Sequence, residues 1–229
     1  MTDQSTFKAL VLREDQGKIS PAIERLDNSD LPEGDVTVAV QYSTLNYKDG
    51  MVLGGIGRLV RNYPHVPGID FSGVVETSDS PEFAPGDRVV LTGWRVGETH
   101  WGGYAERARV KSDWLVKLPD GLSEFQAMAL GTAGFTAMLA VVELEGAGLD
   151  ADKGEVLVTG ANGGVGGVAI ALLAQLGYRV VASTGRPEAL DHLRALGAET
   201  VINRAELAAA AERPLLKERW AGAVDAVGG

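Results

Sequence analysis

The 229-residue chain contains no cysteine. Disulfides and thiolate-ligated zinc are therefore excluded. Histidine is scarce too: His65, His100 and His192 are too few and too dispersed to make a metal site. Positive charge is in deficit, with 21 Lys and Arg against 31 Asp and Glu and a net charge of −10. That balance argues against nucleic acid or an anionic membrane as a partner, but leaves room for a small anionic ligand on a local basic patch. No apolar run approaches the roughly 20 residues that a membrane helix needs. The opening "MTDQSTFKAL" has no basic region followed by an apolar core, so no signal peptide is expected. The expectation is a cytoplasmic protein.

Glycine, by contrast, is plentiful at 30 residues, which points to tight turns and close backbone–ligand approach. Residues 7–118 read as β-rich, with short, partly alternating runs such as "DVTVAVQYS", "DRVVLTG" and "YAERARV" between Gly, Pro and Asp. This predicts a barrel-like β domain over residues 1–125. From residue 126 the texture changes. Ser123 with Gln126 forms a capping-box pattern before a helix. Strands then alternate with helices through "GEVLVTG", "YRVVAST", "ETVIN", an Ala-rich helix and "GAVDAVGG". The alternation predicts a doubly wound parallel sheet over 126–229, an α/β Rossmann-type domain. "GAVDAVGG" reads as its fourth strand, whereas a dinucleotide fold uses six. The sheet is thus expected to be incomplete and the chain a fragment.

Gly160-x-x-Gly163-x-x-Gly166, with Gly164 beside it, follows the strand "EVLVT" and opens a helix. Val165, Val168, Leu172 and Leu176 are expected on one face of that helix. Small residues there let the backbone approach a pyrophosphate held at the helix N-terminus. An NAD site presents an Asp or Glu about twenty residues on, to bond the ribose 2′-OH. Here the second strand ends in Ser183 and Thr184, followed by Gly185 and Arg186. Two hydroxyls and a guanidinium suit a 2′-phosphate, so the cofactor expected is NADPH. Arg186 also stands one residue before Pro187, where a solvated residue near a helix cap would stand.

The segments "STLNYKDG" (43–50), "VPGIDFSG" (66–73), "PGDRVVLTGW" (85–94), "GTAGFTA" (131–137) and "VTGANGGVGG" (158–167) resemble the medium-chain dehydrogenase/reductase superfamily. The resemblance runs along essentially the whole chain. It implies a GroES-like β-rich catalytic domain ahead of the Rossmann domain. Asn46 and Ile69 stand where zinc members carry ligands, so no metal is expected. "LTGWRVGETHWGGYAERARVKSDWLV" (91–116), with "LNYKDG" and "RNYPHVPGIDF", is similar to the acryloyl-CoA reductase subgroup, formerly labelled quinone oxidoreductases.

The resemblance implies NADPH-dependent reduction of acryloyl-CoA to propanoyl-CoA. Tyr47 is placed beside the nicotinamide as proton donor or enolate partner, with Lys48 next to it. Asp49 and Asp70 are placed in the former zinc neighbourhood as orienting groups. Thr132 is placed near the nicotinamide and Asn162 within the phosphate-binding turn. Arg204, just after the third strand, is set to approach the adenine or its phosphate. Plainer roles stand beside these: a loop aromatic for Tyr47, turn formers for the two Asp residues, a helix cap for Thr132 and a solvated strand end for Arg204. Arg58, Arg61 and Arg95 are candidates for coenzyme A phosphates, and Trp94 and Trp101 for the acyl pocket. A homodimer, formed through a C-terminal part beyond this chain, is also implied. Quinone reduction and a non-catalytic NADPH-binding role are the alternatives.

Overall fold

Period-two alternation in the first half folds as antiparallel strands. The computed structural model describes residues 5–209 and 217–228. Strands β1 (Thr6–Asp15) and β2 (Lys18–Asp27) form a hairpin that pairs Asp15 with Lys18. Gln16 and Gly17, at φ 50° and 82°, make its two-residue turn. Left-handed turns of this kind match the right-handed twist of the flanking strands.

A five-stranded antiparallel sheet follows, from β3 (Val36–Ser43), β4 (Asp70–Ser78), β5 (Arg88–Thr92), β6 (Arg107–Val110) and β7 (Val116–Lys117). Its order is β6-β3-β4-β5-β7. Val36, Val38, Phe71, Val75, Val89 and Leu91 are buried in its core. Each such side chain contributes about 1.5–3 kcal/mol by leaving water. Two excursions leave this sheet: the stretch between β3 and β4 that contains helix α1 (Tyr47–Leu53), and the loop 93–106 between β5 and β6. Most candidate residues of the first half lie on them.

Helix α2 (Glu124–Gly146) starts with the expected reciprocal cap. Ser123 N–H donates to Gln126 Oε1 at 2.9 Å, and Gln126 N–H donates to Ser123 Oγ at 3.2 Å. Gly131, at φ 52° and ψ −159°, breaks it. The chain divides into two units at this level, Met1–Thr132 and Ala133–Gly229.

The second unit carries β8 (Glu155–Val158), α3 (Gly164–Gln175), β9 (Arg179–Thr184), α4 (Leu190–Ala195), β10 (Thr200–Asn203), α5 (Arg204–Ala209) and β11 (Trp220–Val224). The four strands are parallel in the order β10-β9-β8-β11. This is the 3-2-1-4 arrangement of a dinucleotide-binding sheet. The rest of the expected Ala-rich helix lies outside the described residues.

Two expectations are corrected. The buried face of α3 is Gly166, Ala169, Ile170 and Leu173, while Leu176 is 49% exposed. The helix is apolar on all sides, so its hydrophobic pattern does not single out the face that meets the sheet. Also, α2 is a 23-residue helix with mean hydropathy 1.6 over its most apolar window, enough by length and composition to cross a membrane. The break at Gly131 interrupts it, and Ala137 and Val141 are fully buried in the core of the second unit.

Candidate functional site

The glycine turn occupies the carboxyl end of β8, between β9 on one side and β11 on the other. Gly160 takes φ 58°, which favours glycine. A Cβ on Gly166 would lie 2.4 Å from Gly160 O and 2.8 Å from Ala161 Cα, so only glycine fits. A Cβ on Gly164 would stand 2.9 Å from Ala133 Cβ. Gly163 caps α3 with extended backbone, which leaves the first N–H groups of a 12-residue helix without intrahelical partners. Val165 is half-buried in the same first turn. The cradle fits a pyrophosphate.

At the end of β9 the structure redistributes the expected roles. Ser183 is only 3% exposed, and its register partner on β10 is Ile202. Thr184 Oγ1 donates to Asn162 Oδ1 and accepts from Arg186 N–H at 3.0 Å. It therefore ties the loop after β9 to the glycine turn. The guanidiniums remain. Arg204 lies across Gly185, where a Cβ would come within 2.7 Å of its Nε. Arg186 is exposed at the cap preceding Pro187. Neither side chain has a hydrogen bond or ion pair among the described residues. Two cations and no acid at this strand end form a local basic patch on an acidic protein, suited to phosphate.

Asp225, just after β11, went unnoticed in the sequence. It accepts from Thr159 Oγ1 and from the N–H groups of Val227 and Gly228 at 3.1 and 3.3 Å. The Thr159 hydroxyl, and then those N–H groups, hold its carboxyl below the usual range. Ala226 and Val227 in turn lie against Gly160. Its position at the carboxyl end of a parallel strand was the available signal.

In the first unit the structure gathers Thr44, Asn46, Asp49, Asp70, Tyr104 and Thr132. Asp70 is fully buried at the start of β4. Its Oδ1 accepts from Thr44 N–H at 3.3 Å and Thr44 Oγ1 at 2.7 Å. Its Oδ2 accepts from Asn46 Nδ2 at 3.2 Å, Thr132 N–H at 2.8 Å and Thr132 Oγ1 at 2.7 Å. The break at Gly131 makes this possible: it leaves the Thr132 N–H without its helical acceptor, and a carboxylate takes that place. Asp49, 1% exposed, accepts from Asn46 N–H at 2.8 Å and Ile69 N–H at 3.0 Å. Burial nevertheless pushes its carboxyl above the usual range. Both carboxylates thus hold backbone N–H groups, and Asp70 neighbouring side chains as well. Tyr104, which sequence reasoning passed over, donates to Thr44 O at 2.8 Å. Burial and the nearby Asp49 carboxylate push its phenol well up.

Tyr47, the first residue of α1, is 89% exposed, so its phenol is available to a ligand. Lys48 is not a free charge. It pairs with Glu98 at 3.1 Å, and the Glu98 side chain is only 7% exposed. Arg95 reaches the same carboxylate at 3.6 Å, which removes it from the set of unpaired arginines. Glu98 was missed because it lies 50 residues from Lys48. Trp101 packs in the hydrophobic cluster of β1 and β2 and donates to Pro64 O at 3.2 Å, a core role rather than an acyl pocket. Trp94, 58% exposed, stacks on Trp114 at 6.2 Å. Among the described residues, no three His, Asp or Glu side chains gather into a metal-sized cluster.

A parallel 3-2-1-4 sheet with a glycine cradle, joined to an antiparallel β unit with a buried polar cluster, defines a two-unit dinucleotide-dependent oxidoreductase. Residues 32–120 match the alcohol dehydrogenase GroES-like domain. The acrylyl-CoA reductase AcuI of Ruegeria pomeroyi is 61% identical over 225 residues, 97% of this chain and 68% of that protein. The crystal structure of the yhdH oxidoreductase from Salmonella enterica in complex with NADP superposes with a TM-score of 0.93 at 54% identity, covering 97% of this chain and 68% of that one. Bacillus subtilis yhfP with NAD bound gives 0.94 at 47% identity, covering 98% and 68%. The chain belongs to the medium-chain dehydrogenase/reductase family, and within it is similar to the acrylyl-CoA reductases.

Proposed function

We propose that the protein is an NADPH-dependent reductase of the activated C=C bond of a short enoyl-CoA, acryloyl-CoA foremost. The observation that carries the cofactor half is the end of β9: no acid, and two unpaired guanidiniums, Arg186 and Arg204, beside the glycine cradle. The substrate half is supported by 61% identity to the Ruegeria pomeroyi enzyme across 97% of the chain. When bound, NADPH supplies a hydride for Cβ of the enoyl thioester. The chain's own residues do the rest. Gly160, Gly163, Gly164 and Gly166 let the backbone and the α3 N-terminus meet the pyrophosphate. Arg186 and Arg204 take the 2′-phosphate. As the Cα=Cβ bond is reduced, charge moves to the thioester oxygen, and Tyr47 stabilises that oxygen or gives its phenolic proton to Cα. Asp70, Asp49 and Glu98 hold Thr44, Asn46, Thr132 and Lys48, so the segment that carries Tyr47 is organised before substrate arrives.

The test is NADPH and NADH oxidation measured side by side with acryloyl-CoA, crotonyl-CoA and a benzoquinone. Acryloyl-CoA with NADPH should give the highest kcat/KM. Faster turnover of the quinone would replace the substrate assignment, and tight NADPH binding without turnover of any of the three would make this a non-catalytic binding protein. The NAD bound to the yhfP protein makes the NADH arm essential.

A further inference from the structure

The surface beyond α1 carries two of the candidate arginines, Arg58 and Arg61. A cavity of about 550 Å³ opens where α1 finishes. Met51 on α1, Ile19 on β2 and Ile56 after the helix give it an apolar wall, and Ile56 is 58% exposed. Arg58 and Arg61 line it as well. Neither guanidinium has a hydrogen bond or ion pair among the described residues, in contrast to Arg95 with Glu98 and Arg88 with Glu124. The one acid on the lining, Glu14, already accepts the N–H of Gly17 in the β1–β2 turn. The cavity therefore combines apolar surface with two arginines against one glutamate, a local positive excess in a protein whose net charge is −10.

The backbone of this segment is left-handed at three positions. Gly55, Gly57 and Arg58 take φ of 66°, 73° and 49°. A non-glycine residue in that region is strained, and such strain collects at ligand-binding segments. Position supplies the last element. Tyr47 and Met51 stand four residues apart on α1, so about 6 Å of helix rise separates Tyr47 from the cavity wall. A ligand reacting at Tyr47 and occupying the cavity must be long, apolar in its middle and anionic further out. The pantetheine arm of coenzyme A, with its gem-dimethyl group and the pyrophosphate beyond it, has that make-up.

We propose that this cavity is the subsite for the phosphopantetheine arm of a coenzyme A thioester, its apolar stretch against Met51, Ile19 and Ile56 and its phosphates met by Arg58 and Arg61. The proposal rests on the enoyl-CoA reading above, and the experiment separates the two. The wild type and the Arg58→Gln/Arg61→Gln double variant are assayed with acryloyl-CoA and with acryloyl-N-acetylcysteamine, which carries no phosphate. Binding of free CoA and of pantetheine is measured in parallel by calorimetry. The variant should lower the ratio of kcat/KM for the CoA thioester over the short thioester at least tenfold. It should also weaken CoA at least tenfold relative to pantetheine. Arg58→Lys/Arg61→Lys should recover part of both. A double Gln variant within twofold of wild type in both ratios would sink the subsite. If the wild type reduces neither thioester, the enoyl-CoA reading fails, and the calorimetric ratio alone then decides whether the cavity binds CoA.

Discussion

Replacing Asp70 by Asn keeps the shape of the side chain and converts one carboxylate oxygen to a donor. Five hydrogen bonds converge on that carboxylate, two on Oδ1 and three on Oδ2, all beneath the surface. The less costly amide orientation puts the NH2 at Oδ1, where the Thr44 hydroxyl can turn to accept and only the long Thr44 N–H bond at 3.3 Å is lost. The three bonds on the other oxygen survive but lose their charged acceptor. Bonds to charged groups contribute about 1.5–3 kcal/mol and neutral ones about 0.5–1.5, so roughly 1 kcal/mol is lost from each. Asp70→Asn should therefore destabilise the protein by about 3–4 kcal/mol, a large part of a total stability of about 5–15 kcal/mol. Guanidinium unfolding followed by tryptophan fluorescence reads it, since Trp94, Trp101 and Trp114 all lie in the first unit. A loss below about 1 kcal/mol would refute the claim that this carboxylate organises the cluster.

Arg186→Ala should weaken NADPH by about 1–3 kcal/mol, the range for losing a charge-assisted contact, and leave NADH nearly unchanged. Equal losses measured by fluorescence titration would show that Arg186 does not read the 2′-phosphate. Tyr47→Phe should lower kcat and kcat/KM together by about 10²–10⁴-fold, with NADPH affinity near wild type; a change confined to KM would make Tyr47 a binding residue instead. His65 and His100 are both held below the usual imidazole pKa, chiefly by burial. Their folded values lie below the unfolded ones, so the unfolded chain takes up protons first as pH falls. Stability should be level above about pH 7 and drop as pH falls through the ordinary imidazole value of about 6.5. Denaturation midpoints that stay flat between pH 7.5 and 5.5 would contradict this.

The features legible in the sequence were local ones. The Gly160–Gly166 turn, the Ser123–Gln126 cap, Pro187 at a first helical turn and the alternating strands all have causes within a few residues of themselves. Asp49 and Asp70 were singled out through family resemblance and not through spacing. What escaped depends on sequence-distant contacts. Thr132 meets Asp70 across 62 residues, Tyr104 meets Thr44 across 60, and Lys48 meets Glu98 across 50. No periodicity encodes such pairs. The burial of Ser183 was hidden for a related reason. A strand end looks the same in sequence whether its residue is exposed or buried, and Ser183 is buried. The buried face of α3 misled because an all-apolar helix has no pattern to read.

The β1–β2 turn shows how much room for improvement this chain retains. Its first residue, Gln16, holds φ 50° with an ordinary side chain, in a position where Asn is strongly preferred before Gly. Selection has tolerated the poorer choice, as it does when a protein already clears the stability its host requires. Gln16→Asn is therefore a free stabilising step of roughly 0.5–1 kcal/mol, placed on a solvent-exposed tip. An engineer could accept that gain first, and then spend it on a damaging but informative change elsewhere, such as the removal of Asp70.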